Sequence, residues 1–239
     1  MKSALLAKAD EAARIAATTV KKQMNYSGGT FTFGVDGMGS LVDQINNLVA
    51  SNAILLQTSA RTLKGTAPKI NLGGGSGSGG GGGGGGSRLT DEERELIGFF
   101  GEAIAFEWLK LKFGGNRVVD ESCWRSMYRK QVFGEGGDDF LGYDFEIANG
   151  ATRWYFEVKS TTIPGPLQVQ SLELGPSEFR RADSCKADRR ERYRILYITD
   201  ALHPEKARIF PLPNPRSRQG LAFFTDLTAG RRLYFPLER

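Results

Sequence analysis

The chain has 239 residues, 40% of them hydrophobic and 25% charged, which is the composition of a soluble globular protein with room for one ordinary domain and a small appendage. With two cysteines (Cys123 and Cys185) and a single histidine (His203), a disulfide framework and a Cys/His zinc site are both excluded. The formal charge of +5 is uneven: residues 1–72 hold eight Lys/Arg against four acids, so they carry most of it. That balance is compatible with nucleic acid but locates no binding face. No apolar run approaches the ~18 residues of a membrane span. The opening MKSALLAKADEAAR meets charge too early for a secretory h-region, so a cytoplasmic setting is expected.

Taken in order, Met1 to about Met24 is predicted as a helix rich in Ala and Lys. Thr30-Phe31-Thr32-Phe33 alternates and predicts a short strand. Ser40 to about Leu63 predicts a second helix, with Leu41, Ile45, Leu48 and Val49 at helical spacing. Residues 1–72 thus read as a small, separate helical segment with no catalytic constellation, suited to pairing with a protein partner or with a second copy of the chain. Residues 73–87, GGGSGSGGGGGGGGS, are a flexible linker by composition. Their near purity is what an engineered join would have, although natural glycine tracts exist.

Residues 88–239 are predicted to form the main domain. Thr90 with Glu93 makes a capping box for a helix that runs to about Phe113. Within it, Gly98 and Gly101 allow close approach to a sheet, and Glu102 then lies where a helix carboxylate can point at the sheet's edge. Val118-Val119 reads as a short strand and Ser122 to Gly137 as irregular, with a basic run at Arg125, Arg129 and Lys130. After a hairpin at 141–159, Leu167 to Leu174 alternates as a third strand. A basic helix begins at Pro176, and Arg194 to Thr199 and Ala207 to Phe210 are strands. The aromatic tail from Leu221 is expected to pack on the body. Helix, three strands, helix and strand in this order predict an α/β fold, a mixed sheet flanked by helices.

The chemistry-bearing stretch is the hairpin, LGYDFEIANGATRWYFEVK. Asn149-Gly150 is the preferred corner of a type I′ turn, which sets Asp144 opposite Tyr155, Glu146 opposite Arg153 and Gly142 opposite Glu157. Period-two alternation then puts Tyr143, Phe145, Ile147, Trp154, Phe156 and Val158 on a core face, with Asp144, Glu146, Arg153, Tyr155, Glu157 and Lys159 on the other. Asp144 and Glu157, diagonal neighbours, can share a divalent ion, with the Val158 carbonyl as a further ligand. Since carboxylates dominate, the ion is expected to be Mg²⁺ or Mn²⁺. Lys159 can position or help deprotonate water, or stabilise the transition state of phosphodiester hydrolysis. Glu146 and Arg153 read as an ordinary cross-strand ion pair.

At these residues the sequence resembles a known superfamily. Glu102, Gly142-Tyr143-Asp144 and Glu157-Val158-Lys159 look like the PD-(D/E)xK nucleases. Gly101-Glu102, Trp124 and Ser126, GYDFEI, FEVKSTT, Ser177-Glu178 and RYRILYITDA resemble the domain at the C-terminus of NO VEIN proteins, over roughly Asp91 to Pro213. The resemblance implies a restriction-endonuclease-like core and a DNA endonuclease in bacterial defence, often alongside an ATPase. It implies Asp144 and Glu157 as metal ligands, Lys159 as catalytic and Glu102 as a ligand or support, with Gln168 and Gln170 near the site. Arg180 and Arg181 are the best candidates to hold DNA phosphates. The alternative is a catalytically inactive module with the same fold that binds nucleic acid or protein.

Overall fold

The computed structural model describes residues 22–26, 29–33, 91–114, 118–162, 170–201, 207–226 and 232–235. The predicted helix at 40–63, the glycine linker, the Thr90 cap, Gln168 and His203 lie outside them. Near the N-terminus the described residues form an antiparallel hairpin of β1 (Lys22–Tyr26) and β2 (Gly29–Phe33), in which Met24 pairs with Phe31. The alternating Thr-Phe strand is therefore present. The predicted first helix does not reach Met24, because that alternating stretch recruits Lys22 to Tyr26 as its partner.

The body is a mixed α/β fold. It comprises α1 (Asp91–Phe113), α2 (Tyr128–Phe133), β3 (Phe145–Asn149), β4 (Thr152–Ser160), β5 (Gln170–Glu173), α3 (Pro176–Ser184), β6 (Glu191–Thr199), β7 (Arg208–Leu212), α4 (Arg218–Phe223), β8 (Thr225–Asp226) and β9 (Arg232–Phe235). The main sheet has the order β3-β4-β6-β7, antiparallel except for the parallel β4–β6 pair. A parallel pair needs a long crossover; residues 161–190, which include β5 and α3, supply it. β5 was expected as a third strand of one mixed sheet. It pairs instead with β9 in a second sheet, β5-β9-β8. Val118-Val119 is not a strand, and α2 forms where the sequence looked irregular; six residues are too few to show a helical period. The helix at Pro176 stops at Ser184, so Lys186, Arg189 and Arg190 lie beyond it.

Two apolar clusters cover the two faces of the main sheet. On one, Phe99, Phe100, Ile104 and Leu109 of α1 pack with Phe145, Ile147, Phe156, Val158, Leu196 and Ile198. α1 comes close because Gly101 faces β4: a Cβ there would stand 2.6 Å from the Ser160 side chain. Ser160 Oγ also donates to the Ile97 carbonyl at 2.9 Å. On the other face, Tyr155, Tyr193, Ile195 and Tyr197 pack beneath Ala182 of α3, Leu172 of β5 and Leu233 and Phe235 of β9. The tail thus packs on the body as expected.

The hairpin departs from its predicted register by one pair. Asn149 pairs with Thr152 and Glu146 with Tyr155, so the loop is Gly150-Ala151. Gly150 has φ +59°, the left-handed first position of a type II′ turn. A two-residue shift in the sum of partners keeps the parity, so the two faces of 145–149 and 152–160 stand as predicted. Upstream, Asp144 N–H donates to the Phe156 carbonyl at 2.8 Å, yet Phe156 is already the partner of Phe145. Two residues opposite one is the count of a β-bulge. It also explains Tyr143, predicted on the face of Phe145 but packed against Tyr155 in the other cluster, ring centroids 4.8 Å apart. Gly142 does not oppose Glu157; at φ +78° it packs against the first turn of α3, where a Cβ would meet the Ser177 carbonyl oxygen at 2.4 Å.

That contact separates two glycines. Gly142→Ala should lose about 2 kcal/mol or more in urea unfolding, from backbone strain plus the clash. Gly150→Ala, with nothing within 4 Å of its Cβ, should lose only the strain, about 1 kcal/mol. Equal losses in the two variants would rule out the close approach of Gly142 to α3.

Candidate active site

β4 carries Glu157 and Lys159 on the face beneath α3, and the bulge turns Asp144 toward them. Asp144 Oδ2 accepts the Val158 N–H at 2.7 Å, a bond from a side chain to a strand amide that an unbulged β3 would have taken for itself. Residues on β4 alternate in the edge to which they present their amides. Phe156 bonds toward β3 and Thr161 toward β6, so Val158 turns both its N–H and its carbonyl to the side of Asp144. The Lys159 Nζ donates to Glu157 Oε1 at 2.7 Å and to Glu178 Oε1 at 3.1 Å. Glu178 belongs to the first turn of α3, where its Oε2 also accepts the N–H of Gly175, the N-cap residue.

Glu102 approaches from α1, 6% exposed. Its Oε2 accepts the Trp124 Nε1–H at 2.6 Å and the Ser126 hydroxyl. Trp124 is itself enclosed by Phe99, Phe106, Phe133 and Phe145, so an aromatic cluster sets the direction of the donor that holds Glu102.

The site holds an excess of acid. Burial, then the charge of Glu102, raises the Asp144 pKa well above the ordinary carboxylate value. Burial and Asp144 do the same to Glu157. Burial pushes Glu102 up to about 8, against the pull of its Ser126 and Trp124 hydrogen bonds and with the help of Glu157. Burial works against the Lys159 charge, but Glu157 and Glu178 more than offset it and hold the ammonium above its ordinary pKa. The structure therefore brings together Asp144, Glu157, Lys159 and the Val158 amide, with Glu102 close enough to act electrostatically.

Other predicted residues fare differently. Arg181 lies over the rings of Tyr143 and Tyr155, 5.0 and 4.6 Å from their centroids, and is engaged in packing there. Arg180 is exposed on the same helix. Gln170 is buried and accepts from the Tyr197 hydroxyl at 2.9 Å, on the face that bears Lys159. Glu146 pairs with Arg153 at 3.5 Å, as expected, and with Arg125 at 3.3 Å. Glu178 as the second partner of Lys159 escaped sequence reasoning. It read as the acid of a helix start and as part of the Ser177-Glu178 resemblance, with no role assigned, and no local pattern announces that this helix end sits over β4. Among the described residues, no three His, Cys, Asp or Glu side chains are gathered as a ready metal site. No helix among them is long and apolar enough to cross a membrane. Comparison with protein-family models, with curated proteins and with solved structures finds no match.

Glu102 should leave a signature in stability. Its carboxyl takes up a proton on folding at any pH between its ordinary 4.5 and about 8, so stability falls as pH rises through that window and levels off above it. In Glu102→Gln this loss should shrink, by on the order of 3 kcal/mol between pH 5 and pH 8. Chemical unfolding of parent and variant across that range reads the difference directly; parallel curves would place Glu102 in contact with water.

Proposed function

We propose that the domain is a metal-dependent nuclease hydrolysing phosphodiester bonds in DNA. The observation that carries this reading is the convergence of Asp144, Glu157 and Lys159 on one buried patch, from a bulge and a single strand. The residues suit a hard divalent cation such as Mg²⁺ or Mn²⁺. Asp144 Oδ1 and Glu157 Oε2 have no hydrogen-bond partner among the described residues, and both carboxyls are raised by burial and by neighbouring acids, a strain that added positive charge relieves. Asp144, Glu157 and the Val158 carbonyl would hold the ion, with water completing its coordination. Bound there, the ion would lower the pKa of a water and steady charge on the phosphate.

The chain's own groups divide the remaining work. Lys159 stays protonated in this surrounding, so it acts as a donor to a phosphate oxygen or to the attacking water and not as the base. As water attacks phosphorus and the bond to the leaving oxygen breaks, negative charge builds on the phosphoryl oxygens, and a positioned ammonium gains most at that moment. Glu157 and Glu178 fix the direction of the Lys159 amine. Glu102, kept in place by Trp124 and Ser126, raises the Asp144 pKa through its charge and is suited to accept a proton near pH 8. Arg180, exposed on α3, is suited to a DNA phosphate, whereas Arg181 serves the packing of Tyr143 and Tyr155.

A second reading, a binding module without catalysis, draws on one observation: Lys159 is already shared by two carboxylates, so the site neutralises part of its own charge. The two readings part on a simple assay. Plasmid, linear duplex, single-stranded DNA and RNA are incubated with the chain, with Mg²⁺ or with chelator. The nuclease should cut only with the metal, and Asp144→Asn, Glu157→Gln and Lys159→Ala should each lower the rate by at least about a hundredfold while leaving the circular dichroism unchanged. Cutting that survives all three substitutions would sink the assignment, and absence of cutting with intact Mg²⁺ binding would favour the module.

A further inference from the structure

A second feature lies away from the carboxylates. β6 runs on past the end of β7: Ile195 with Leu212 is the last pair at that end, so Glu191 to Arg194 have lost their neighbour on one edge. After Leu212 the chain turns away through Pro213, Asn214 and Pro215. Asn214, 6% exposed, pins this turn to α3 by donating from Nδ2 to the Ala182 carbonyl at 2.8 Å and accepting the Arg216 N–H at 2.9 Å. A cavity of about 370 Å³ remains between the open edge of β6, the end of α3 and the start of α4. Its size is that of a small-molecule site.

The walls are cationic. Five Lys/Arg residues line the cavity against two acids, Asp188 and Glu191. Both acids have other duties: Asp188 accepts the Arg190 N–H at 2.7 Å, and Glu191 accepts the Tyr155 hydroxyl at 3.2 Å. Lys186 is held by Asp183 at 3.0 Å, and Arg192 lies over the Trp154 ring. Arg189, Arg194 and Arg218 are left without a carboxylate partner among the described residues. For Arg194 this is costly. It is half-buried, and burial, then the charge of Arg192, lowers its pKa. Tyr193, 2% exposed, also lines the wall, but its hydroxyl, without a hydrogen-bond partner among the described residues, lies in the field of Glu157 and Glu178. Alternation along β6 turns the Tyr193 N–H toward the side that β7 has left. Unpaired guanidiniums with a backbone donor are the groups that recognise phosphate oxygens.

We propose that this cavity is a phosphate-binding site, with Arg189, Arg194 and Arg218 holding the phosphate groups of a nucleotide-sized ligand. The site requires nothing of the carboxylate centre, so it stands apart from the nuclease reading. The phosphates can come from a free di- or triphosphate or from a nucleic-acid backbone, and the titration below separates the two.

Calorimetric titration of the full chain tests it, in chelator and on the Glu157→Gln background, so that neither metal nor cleavage enters. The probes are inorganic pyrophosphate, ATP and a single-stranded oligonucleotide. Pyrophosphate and ATP should bind, and Arg194→Ala and Arg218→Glu should each weaken them about tenfold or more. Arg218 is exposed, so its variant keeps the fold, which an unchanged unfolding midpoint checks. Weakening confined to the oligonucleotide supports the same site with a backbone phosphate as its occupant. The proposal is overturned if no probe binds the parent, or if both variants bind every probe within twofold of it.

Discussion

The arrangement turns on one buried ammonium. Lys159 Nζ sits between Glu157 and Glu178, and through them it ties the main sheet to the first turn of α3. Asp144 lies within its field, and Glu102 acts in turn on Asp144, so four carboxylates are coupled to one cation. Taking such groups out of water costs several kcal/mol each, and well-packed apolar side chains in the same place are commonly as stable or more so. Packing alone gives no reason for this composition. The raised pKa values of Asp144, Glu157 and Glu102 express the same cost in another form. A fold that keeps an acid excess under a helix is carrying a feature suited to chemistry, and the cost is met by the two large apolar clusters on either side.

The bulge decides what the sequence could and could not reveal about this patch. Period-two alternation placed Glu157 and Lys159 correctly, because β4 is regular from Thr152 to Ser160. A corner at Asn149-Gly150 was the wrong turn, yet the faces survived, since the true loop is displaced by one residue in both strands. The same alternation failed for Tyr143. An extra residue at Asp144 breaks the parity, and nothing in GYDFEI distinguishes a bulge from a regular strand entry. That irregularity is what lets the Asp144 side chain take the Val158 N–H. Asp144, Glu157 and Lys159 thus come together as alternation predicts, but through a compensating departure from ideal geometry.

Long-range placements were legible only where one residue type allows a single packing. Gly101 in α1 signalled close approach, and β4 is found there, 2.6 Å from where a Cβ would stand. Glu102, one residue on, then comes within the field of Asp144. By contrast, LQVQSLEL has a strand's alternation but carries no mark of which sheet it joins, and β5 pairs with β9 some sixty residues on. The end of α3 was hidden for a related reason. Arg189 and Arg190 extend the basic run, while Asp188 uses its side chain to accept the Arg190 N–H in a turn, which competes with helix.

Tyr193 connects the two polar regions. It stands one step behind Ile195, the partner of Glu157, and its wall position in the arginine cavity is on the same strand. Burial, reinforced by Glu157, Glu178 and Asp144, raises its pKa well above the ordinary value, so the hydroxyl remains a donor. A buried donor without a partner, in the field of three carboxylates, is left with the cost of its own desolvation. Its hydrogen bond is worth about 1–3 kcal/mol once made to a charged acceptor.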